Sequence, residues 1–427
     1  MIHNKLLYNN ASYKSLIFLF LIGFSLPTST ALQNVLMLFL LLVILVKGLY
    51  RNNVWKIKKN VTNILCLAFY MLFVFRCYHS DATTHQIVHQ LAIFAWLIYL
   101  PMLYIYMRTN YSNNKYLLYG ILYGAAISLV VSYGSWVFDH PVLHGAKFAS
   151  WANRWAPFRA HSIHCFFLSI LSAWCLFNVL HNRVSIKLKC FYLIIVLLSA
   201  INVYYMVSSM TGSALFAIAI GCTLIHYNFK KGMIAFGLIA VAAIPLFFIT
   251  SENFRVKLVS SWNSNSEYQQ HQLPTQINVG KDNNSSVLLR WNFYDYSWQL
   301  IKHKFWTGYG TGSFANEYKK ITHDNDLIST KNPHSDYLLV MVELGIIAVI
   351  FLTSIFATIF YYSLFHLRGF EQLLGIIVSI SYSLSCIFNP YLSDSVVGIS
   401  FAVISAFVII HFIGNPQRFY KNAKKLN

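Results

Sequence analysis

The sequence predicts an all-α polytopic membrane protein with about 12 transmembrane helices, and three observations lead to this prediction. Of the 427 residues, 57% are hydrophobic and 11% are charged, and the mean hydropathy is +0.53. Several apolar runs approach the roughly 20 residues that an α-helix needs to cross the hydrocarbon core of a bilayer. The lysines and arginines fall mainly in short links between those runs. A soluble domain of this size has no need for so many apolar residues.

The apolar runs divide the chain into three parts. Residues 1–250 hold about nine N-terminal spans, residues 251–333 form one large loop, and residues 334–427 hold about three C-terminal spans. Several spans are short, which is compatible with one re-entrant segment among them. The spans are predicted at residues 15–27, 31–46, 61–75, 87–107, 116–138, 163–180, 190–207, 214–228, 232–250, 335–363, 372–388 and 395–413.

The placement of charge predicts the orientation of these spans. With the N-terminus in the cytoplasm, the inner segments carry 19 of the 32 basic residues and a single acidic residue, Glu371. Short cytoplasmic loops of membrane proteins are enriched in lysine and arginine in this way. The net charge of +19 is therefore a sign of topology rather than of nucleic-acid binding. The large loop lies on the outer side, which is the periplasm of a bacterial cell.

The second half of the large loop predicts a helix at the membrane surface. Val287, Trp291, Tyr294, Trp298 and Ile301 follow one another at spacings of four and three residues, which is typical of an amphipathic helix. The aromatic side chains suit the bilayer interface. Such a long loop is uncommon unless it has a function.

The glycine-rich stretch "GYGTGSF" follows this helix and predicts a tight turn. The stretch lacks the lysine and the serine or threonine that complete a nucleotide-binding P-loop. It also lies on the side of the membrane where nucleotides are absent. Nucleotide binding is therefore not predicted.

Two residues near the outer surface are candidates for catalysis. His334 directly precedes the tenth span, where an imidazole titrates near neutral pH and can act as a general base. Arg290 lies beside the apolar stripe of the surface helix, where a guanidinium can bind a phosphate with two hydrogen bonds. The alternatives are an interfacial histidine at a helix end and an arginine whose side chain extends to the headgroups.

The link between the fifth and sixth spans is a second candidate region. Its sequence "WANRWAPFRAHSIHC" holds Arg154, Arg159, His161 and His164 among aromatic side chains. The nearest carboxylate in sequence is that of Asp139, so the link does not favour a metal site. It predicts either an anion-binding patch that faces the large loop or a basic and aromatic belt at the membrane interface.

These features together resemble the O-antigen ligase superfamily of bacterial inner membranes, which includes O-antigen ligases, O-antigen polymerases and some protein O-oligosaccharyltransferases. The resemblance is strongest over residues 286–350, where an arginine opens an amphipathic helix, "GYGTGSF" follows, and "HSDYLLVMVELG" leads into a membrane helix. Elsewhere it is a resemblance of topology. Each motif is short and degenerate, and the specificity comes from their order and membrane setting.

The resemblance implies a metal-independent, inverting glycosyltransferase of the GT-C type in the inner membrane of a Gram-negative cell, without a cofactor. Such a ligase takes a glycan from undecaprenyl diphosphate at the periplasmic face and transfers it to a sugar hydroxyl of the lipid A–core oligosaccharide, in lipopolysaccharide biosynthesis. His334 matches the histidine of the family, and Arg290 matches the arginine of its large loop. The implied partners are these two lipids and the surrounding membrane lipids.

The stretch "SSMTGSALFA", residues 208–217, departs from the family pattern, because ligases often carry another arginine there. Arg154 or Arg159, with His161, is then expected to bind the diphosphate instead. This departure leaves the choice between ligase and polymerase open, since both use similar groups. A protein acceptor and a polysaccharide flippase are further alternatives. A transporter predicts inverted repeats and charged residues inside its spans, which the sequence does not favour.

Overall fold

The computed structural model describes residues 13–49, 60–138, 155–182, 184–207, 209–238, 284–322 and 330–413, and these residues form helices and no strand. The helices are α1 (Tyr13–Thr28), α2 (Thr30–Val46), α3 (Val61–Arg76), α4 (Thr84–Ile93), α5 (Trp96–Thr109), α6 (Lys115–Val137), α7 (His161–His181), α8 (Ile186–Ile201), α9 (Met210–Tyr227), α10 (Asn284–His303), α11 (Phe314–Thr322), α12 (Asp336–Leu344), α13 (Ile346–His366), α14 (Gly369–Phe388) and α15 (Ser395–Ile413). A π-helical segment, Asn202–Val207, extends α8.

The described residues contain nine helical segments that are long and apolar enough to cross a membrane. Two further apolar helices, α1 and α2, have 16 and 17 residues. The prediction of a polytopic α-helical membrane protein is therefore confirmed, while the count of 12 spans stays a prediction. Of the predicted span 232–250, residues 232–238 are helical and the remainder lies outside the described residues.

Two predicted spans are interrupted in the structure. The span predicted at 87–107 consists of α4 and α5, with a turn at Phe94 and Ala95 between them. The span predicted at 335–363 is two helices, because Gly345 adopts a φ of 78° and ends α12 before α13 begins. That backbone conformation is open to glycine and strained for other residues. The long apolar helix therefore begins at Ile346, about 10 residues later than predicted.

Helices α1 and α6 pack backbone to backbone through small residues. A Cβ atom on Gly23 would lie 2.1 Å from the carbonyl oxygen of Leu117, and one on Gly120 would lie 2.2 Å from that of Phe20. Glycine permits such close approach in membrane helix pairs, where van der Waals contact rather than water exclusion drives association. Both helices contribute buried apolar side chains to the core, as most of the long helices do, whereas the apolar side chains of α8 that pack against the core are only partly buried.

The links between helices gather at two ends of the bundle, as their alternation in sequence predicts. At one end, Tyr391 donates a hydrogen bond to the carbonyl of Ser162 at 3.3 Å, and Asn389 donates to Thr211 at 3.0 Å. We call this the loop end, because α10, α11 and α12 lie there. At the opposite end, Asn113 donates to Ser15 at 2.5 Å. These contacts show which links share an end of the bundle.

The predicted apolar stripe of α10 is divided between two faces of the helix. Trp291 and Trp298 are 42% and 46% exposed, whereas Ile301 is 1% exposed. The buried face is centred on Phe293 and Leu300, because α10 packs that face against α11 and α12 rather than against a bilayer alone. Spacing in sequence identified the helix correctly, and the predicted stripe is divided between a buried and an exposed face.

Candidate active site

The turn that carries His334 is held by side chains on both sides of it. The backbone N–H of His334 donates to Asn332 Oδ1 at 2.7 Å, and Asn332 Nδ2 donates to Ser393 Oγ at 3.0 Å. Ser335 caps α12, since its Oγ accepts the N–H of Leu338 at 3.4 Å. His334 has a φ of 57° and is the only non-glycine residue of the described chain with a positive φ. Such a conformation costs on the order of 1–3 kcal/mol and is often found at functional sites.

The imidazole of His334 is half-buried and stacks on the ring of Phe293, with 5.7 Å between the centroids and 15° between the planes. Burial lowers the pKa of this imidazole below its usual 6.5, and the positive charge of Arg290 lowers it further. His334 is therefore mostly neutral at pH 7. No hydrogen bond to its ring nitrogens is found among the described residues. A neutral imidazole of this kind is ready to accept a proton.

Arg290 lies on α10, close enough for its charge to act on His334. Its side chain is half-buried and has no ion pair within the described part of the chain. One turn later, the hydroxyl of Tyr294 donates to the carbonyl of Ile387 at 3.2 Å and lies 3.5 Å from the carbonyl oxygen of His334. Tyr294 thus aligns α10 with both the His334 turn and the end of α14. The two predicted catalytic residues are brought together on separate elements.

Asp336 anchors the His334 turn to the link between α14 and α15. Its carboxylate accepts the N–H of Leu392 at 2.7 Å and that of Ser393 at 3.0 Å, and the residue is fully buried. Burial raises the pKa of this carboxyl, and these hydrogen bonds oppose the increase. Sequence reasoning did not identify this role of Asp336, because its partners lie 56 and 57 residues away along the chain.

The glycine-rich turn is a structural element that pairs with the junction of α12 and α13. Tyr309 donates its N–H to the carbonyl of Val342 at 2.9 Å, Gly310 donates to that of Glu343 at 2.7 Å, and Ile346 donates to that of Phe305 at 3.0 Å. We call residues 305–313 together with residues 342–346 the glycine clasp. Gly308 has a φ of 66°, and a Cβ there would lie 2.4 Å from the backbone of Glu343.

The glycine clasp is also tied to the end of α3. Arg76 donates from Nη2 to the carbonyl of Gly308 at 3.0 Å, and Thr311 donates from Oγ1 to the carbonyl of Phe73 at 2.6 Å. Ser80 donates to the carbonyl of Thr311 at 2.8 Å. The N–H groups of Tyr309, Gly310 and Thr311, which a phosphate ligand would otherwise require, donate to backbone carbonyls instead. These bonds fix the last part of α10 against the bundle.

Glu343 is buried within the glycine clasp and is 1% exposed. Burial raises the pKa of its carboxyl to about 8, although the N–H groups of Gly312 and Phe314 and the side chain of Gln90 act in the opposite direction. Its Oε2 has no hydrogen-bond partner among the described residues. The carboxyl is therefore mostly protonated at pH 7. Glu343 lies in α12, one helix before the long apolar span, and belongs to the scaffold rather than to the His334 turn.

Of the predicted diphosphate ligands, Arg159 is used by the protein itself. Its guanidinium donates to the carbonyls of Leu26 at 2.8 Å and Ser25 at 2.7 Å, and to Gln33 Oε1 at 2.7 Å. The residue is buried, and burial lowers the pKa of its guanidinium to about 10. These bonds join the start of α7 to α1 and α2. Such a geometry favours a structural role for Arg159, and diphosphate binding by it stays a prediction.

His161 is the first residue of α7 and is exposed at the loop end. The next residue, Ser162, accepts the hydroxyl of Tyr391, so His161 lies beside the link that Asp336 anchors. Arg154 lies outside the described residues. Where related ligases carry another arginine, Ser209 caps α9 and Thr211 accepts a hydrogen bond from Asn389. The stretch 208–217, which lacks that arginine, therefore lies close to the link between α14 and α15 at the loop end.

A comparison with known protein families finds a match to part of the chain. The family model described as O-antigen ligase matches residues 194–353. Over these residues the chain is similar to the O-antigen ligase family. The matched region runs from α8 into α13 and contains both Arg290 and His334, whereas Arg154, Arg159 and His161 precede it. The resemblance to the O-antigen ligase superfamily is confirmed. No curated protein matches the chain.

Proposed function

We propose that the protein is an O-antigen ligase that transfers a glycan from undecaprenyl diphosphate to a sugar hydroxyl of the lipid A–core oligosaccharide. The observation that supports this proposal is the proximity of Arg290 and His334 in the region similar to the O-antigen ligase family, with neither side chain engaged by another charged group of the described chain. The site faces the periplasm of a Gram-negative inner membrane, and residues 251–333 form the periplasmic loop.

His334 acts as the general base. Its neutral imidazole takes the proton of the acceptor hydroxyl as the oxygen attacks the anomeric carbon of the donor. The bond between that carbon and the diphosphate oxygen breaks, and attack from the opposite face inverts the configuration. The depressed pKa of His334 keeps the base unprotonated near neutral pH. Because attack and departure occur in one step, a single base is sufficient.

Arg290 stabilises the leaving group. The lipid diphosphate gains negative charge as its bond to the sugar breaks, and a guanidinium can hold two of its oxygens. This stabilisation supplies the electrostatic assistance that a divalent cation gives in other transferases, so that the proposed mechanism needs no metal. The same charge also lowers the pKa of His334, which couples the two residues electrostatically.

An O-antigen polymerase is the second candidate, because the stretch 208–217 lacks the arginine that related ligases often carry. The chemistry at Arg290 and His334 would be the same, and the acceptor would be another glycan on undecaprenyl diphosphate. The two functions differ in the product that accumulates when the protein is missing.

A gel of lipopolysaccharide from a deletion strain tests the proposal. We expect bare lipid A–core, with long O-antigen retained on undecaprenyl diphosphate, and a normal ladder after complementation with the wild-type chain. Lipid A–core that bears a single repeat unit would instead identify the polymerase. Unchanged lipopolysaccharide would contradict both candidates and leave the transporter or a protein acceptor.

A further inference from the structure

A polar cavity lies at the end of the bundle opposite to the candidate active site. Its volume is about 290 Å³, and α6, α7, α14 and α15 contribute to its lining. Each of these helices supplies a polar side chain from near its own end: Lys115, Asn178, Glu371 and His411. Since all four belong to helices long enough to cross a membrane, the cavity lies at the depth of the lipid headgroups.

The cavity contains one positive and one negative group that do not neutralise each other. Lys115 and Glu371 both line it, yet neither forms an ion pair with another described residue. The ammonium of Lys115 lies 5.3 Å from the centroid of the Tyr116 ring instead. Opposite charges that share a cavity without contact are complementary to a ligand that carries both charges itself.

The other side chains that line the cavity form one polar region and one apolar region. Leu118, Phe370 and Phe407 are buried apolar side chains at the cavity, while Asn178 and His411 are its neutral polar side chains. The amide of Asn178 donates to the carbonyl of Trp174 and accepts from Asn182. The carbonyl of Phe407 can only accept, so Nδ1 of His411, 2.7 Å away, is the donor in that hydrogen bond. A volume near the lower limit of small-molecule sites, roughly 300 Å³, suits a headgroup rather than a whole lipid.

An apolar track on α6 leads away from the cavity along the helix. Tyr119 lines the cavity and is 41% exposed, and Tyr123, Ile127 and Val130 follow on the same face with 62%, 43% and 70% exposure. Residues three and four apart share one face of a helix, so these side chains form a continuous surface. Acyl chains attached to a headgroup in the cavity can lie along this surface within the bilayer.

We propose that this cavity binds a phospholipid whose headgroup carries both a phosphate and a primary ammonium, with Lys115 on the phosphate and Glu371 on the ammonium. The chemical class is that of phosphatidylethanolamine. The ammonium donates hydrogen bonds to the carboxylate of Glu371, which a quaternary ammonium cannot do. An anionic lipid without an amine would leave Glu371 unpaired and close to its own charge. The site is separate from Arg290 and His334, so the inference does not depend on the proposed transferase function.

Lipid retention by the purified full-length chain tests this proposal. The chain is loaded in turn with phosphatidylethanolamine, phosphatidylcholine and phosphatidylglycerol of identical acyl chains, and the bound lipid is counted by native mass spectrometry. We expect preferential retention of phosphatidylethanolamine. Lys115→Gln and Glu371→Gln should each weaken that retention roughly tenfold, as expected for the loss of one charge-assisted hydrogen bond. Lys115→Arg should preserve it.

Matched controls separate the cavity from general charge effects at this end of the bundle. Arg368 is exposed three residues before Glu371, and Lys187 is exposed at the start of α8, and neither lines the cavity. Arg368→Gln and Lys187→Gln should retain phosphatidylethanolamine as the wild type does. Equal retention of all three lipids, or unchanged retention in both cavity variants, would overturn the proposal. Loss in Lys115→Gln alone, with phosphatidylglycerol bound as tightly, would identify a simple anion site and would also overturn it.

Discussion

Helices α10 and α12 pack side by side, and their two ends differ in how their polar groups are satisfied. At one end, the glycine clasp joins the chain after α10 to the chain after α12 with backbone hydrogen bonds between 2.7 and 3.0 Å. At the other end, Arg290 and His334 lie near each other without an ion pair or a ring-nitrogen hydrogen bond among the described residues. The backbone bonds of the clasp fix the geometry of the two helices, and Arg290 and His334 keep hydrogen-bonding groups for the proposed substrate.

This difference matters because two reactive side chains must be held rigidly by contacts that do not use their reacting groups. His334 is held through its backbone, through Asn332 and through the capping residue Ser335, while its ring only stacks on Phe293. Its support therefore comes from groups other than the one proposed to react. Preorganisation of this kind lowers the cost of reaching the transition state.

The largest effect is expected from removal of the base. His334→Ala should lower transfer by about 10²–10⁴-fold, because the acceptor proton then has no positioned acceptor. The measurement is transfer from purified lipid-linked donor to acceptor in proteoliposomes. His303→Ala is the matched control, since His303 is exposed at the other end of α10 and should leave transfer unchanged. Full activity in His334→Ala would remove its catalytic assignment.

The second largest loss of transfer is expected from a change at Arg290, the residue proposed to stabilise the leaving group. Arg290→Lys keeps the positive charge but loses the bidentate geometry, so transfer should fall by about 10²-fold, as for the loss of a single transition-state donor. Lys302→Gln, at an exposed position of the same helix, is the control. A fully active lysine variant would mean that Arg290 serves only to anchor α10 at the membrane surface.

A substitution in the glycine clasp is expected to act on stability more than on chemistry. A Cβ at Gly345 would lie 2.2 Å from the carbonyl oxygen of Trp306, and the φ of 78° disfavours any side chain. Gly345→Ala should therefore cost about 1–3 kcal/mol and lower the melting temperature in detergent. Gly134→Ala is the control, because no atom lies within 4 Å of a Cβ at Gly134. Equal melting temperatures for Gly345→Ala and the wild type would contradict a stabilising role of the glycine clasp.

The pH dependence of transfer tests the electrostatic link between Arg290 and His334. Burial and Arg290 both lower the pKa of His334, so the rate should fall on the acidic side, with a midpoint below the usual imidazole pKa of 6.5, as the imidazole becomes protonated. Arg290→Gln should shift this acidic limb toward higher pH, since it removes the second cause. The profile of the residual activity is measured under single-turnover conditions, and an unshifted limb would argue against the coupling.

The smallest effect, on stability, is expected from a change at Glu343 in the glycine clasp. Its folded pKa of about 8 lies above its ordinary value of 4.5, so its contribution to stability is complete below pH 4.5 and is lost as pH rises through 8. Glu343→Gln mimics the protonated form and should reduce the decrease in melting temperature between pH 5 and pH 8. Glu317, which pairs with Lys320, offers a control in Glu317→Gln. An identical pH dependence in Glu343→Gln and the wild type would contradict a protonated carboxyl.

The sequence alone predicted the class of fold and the helix α10, because hydropathy and helical spacing are local signals. The roles of Arg290 and His334 stay predictions. Sequence reasoning missed the break at Gly345, since glycine inside an apolar run is tolerated in membrane helices and hydropathy does not register backbone conformation. It also did not reveal the hydrogen-bond partners of Arg159 within the chain. These partners are mostly backbone carbonyls of α1, more than 130 residues away, which no pattern of side chains reveals.

The left-handed backbone at His334 has a consequence for how the reaction can be halted. Asparagine adopts this conformation more readily than alanine does, because its short amide bonds locally. His334→Asn therefore removes the base while preserving the turn that Asn332 and Asp336 hold. Such a chain would bind donor and acceptor together without joining them, and a stalled ternary complex of this kind could be captured for imaging.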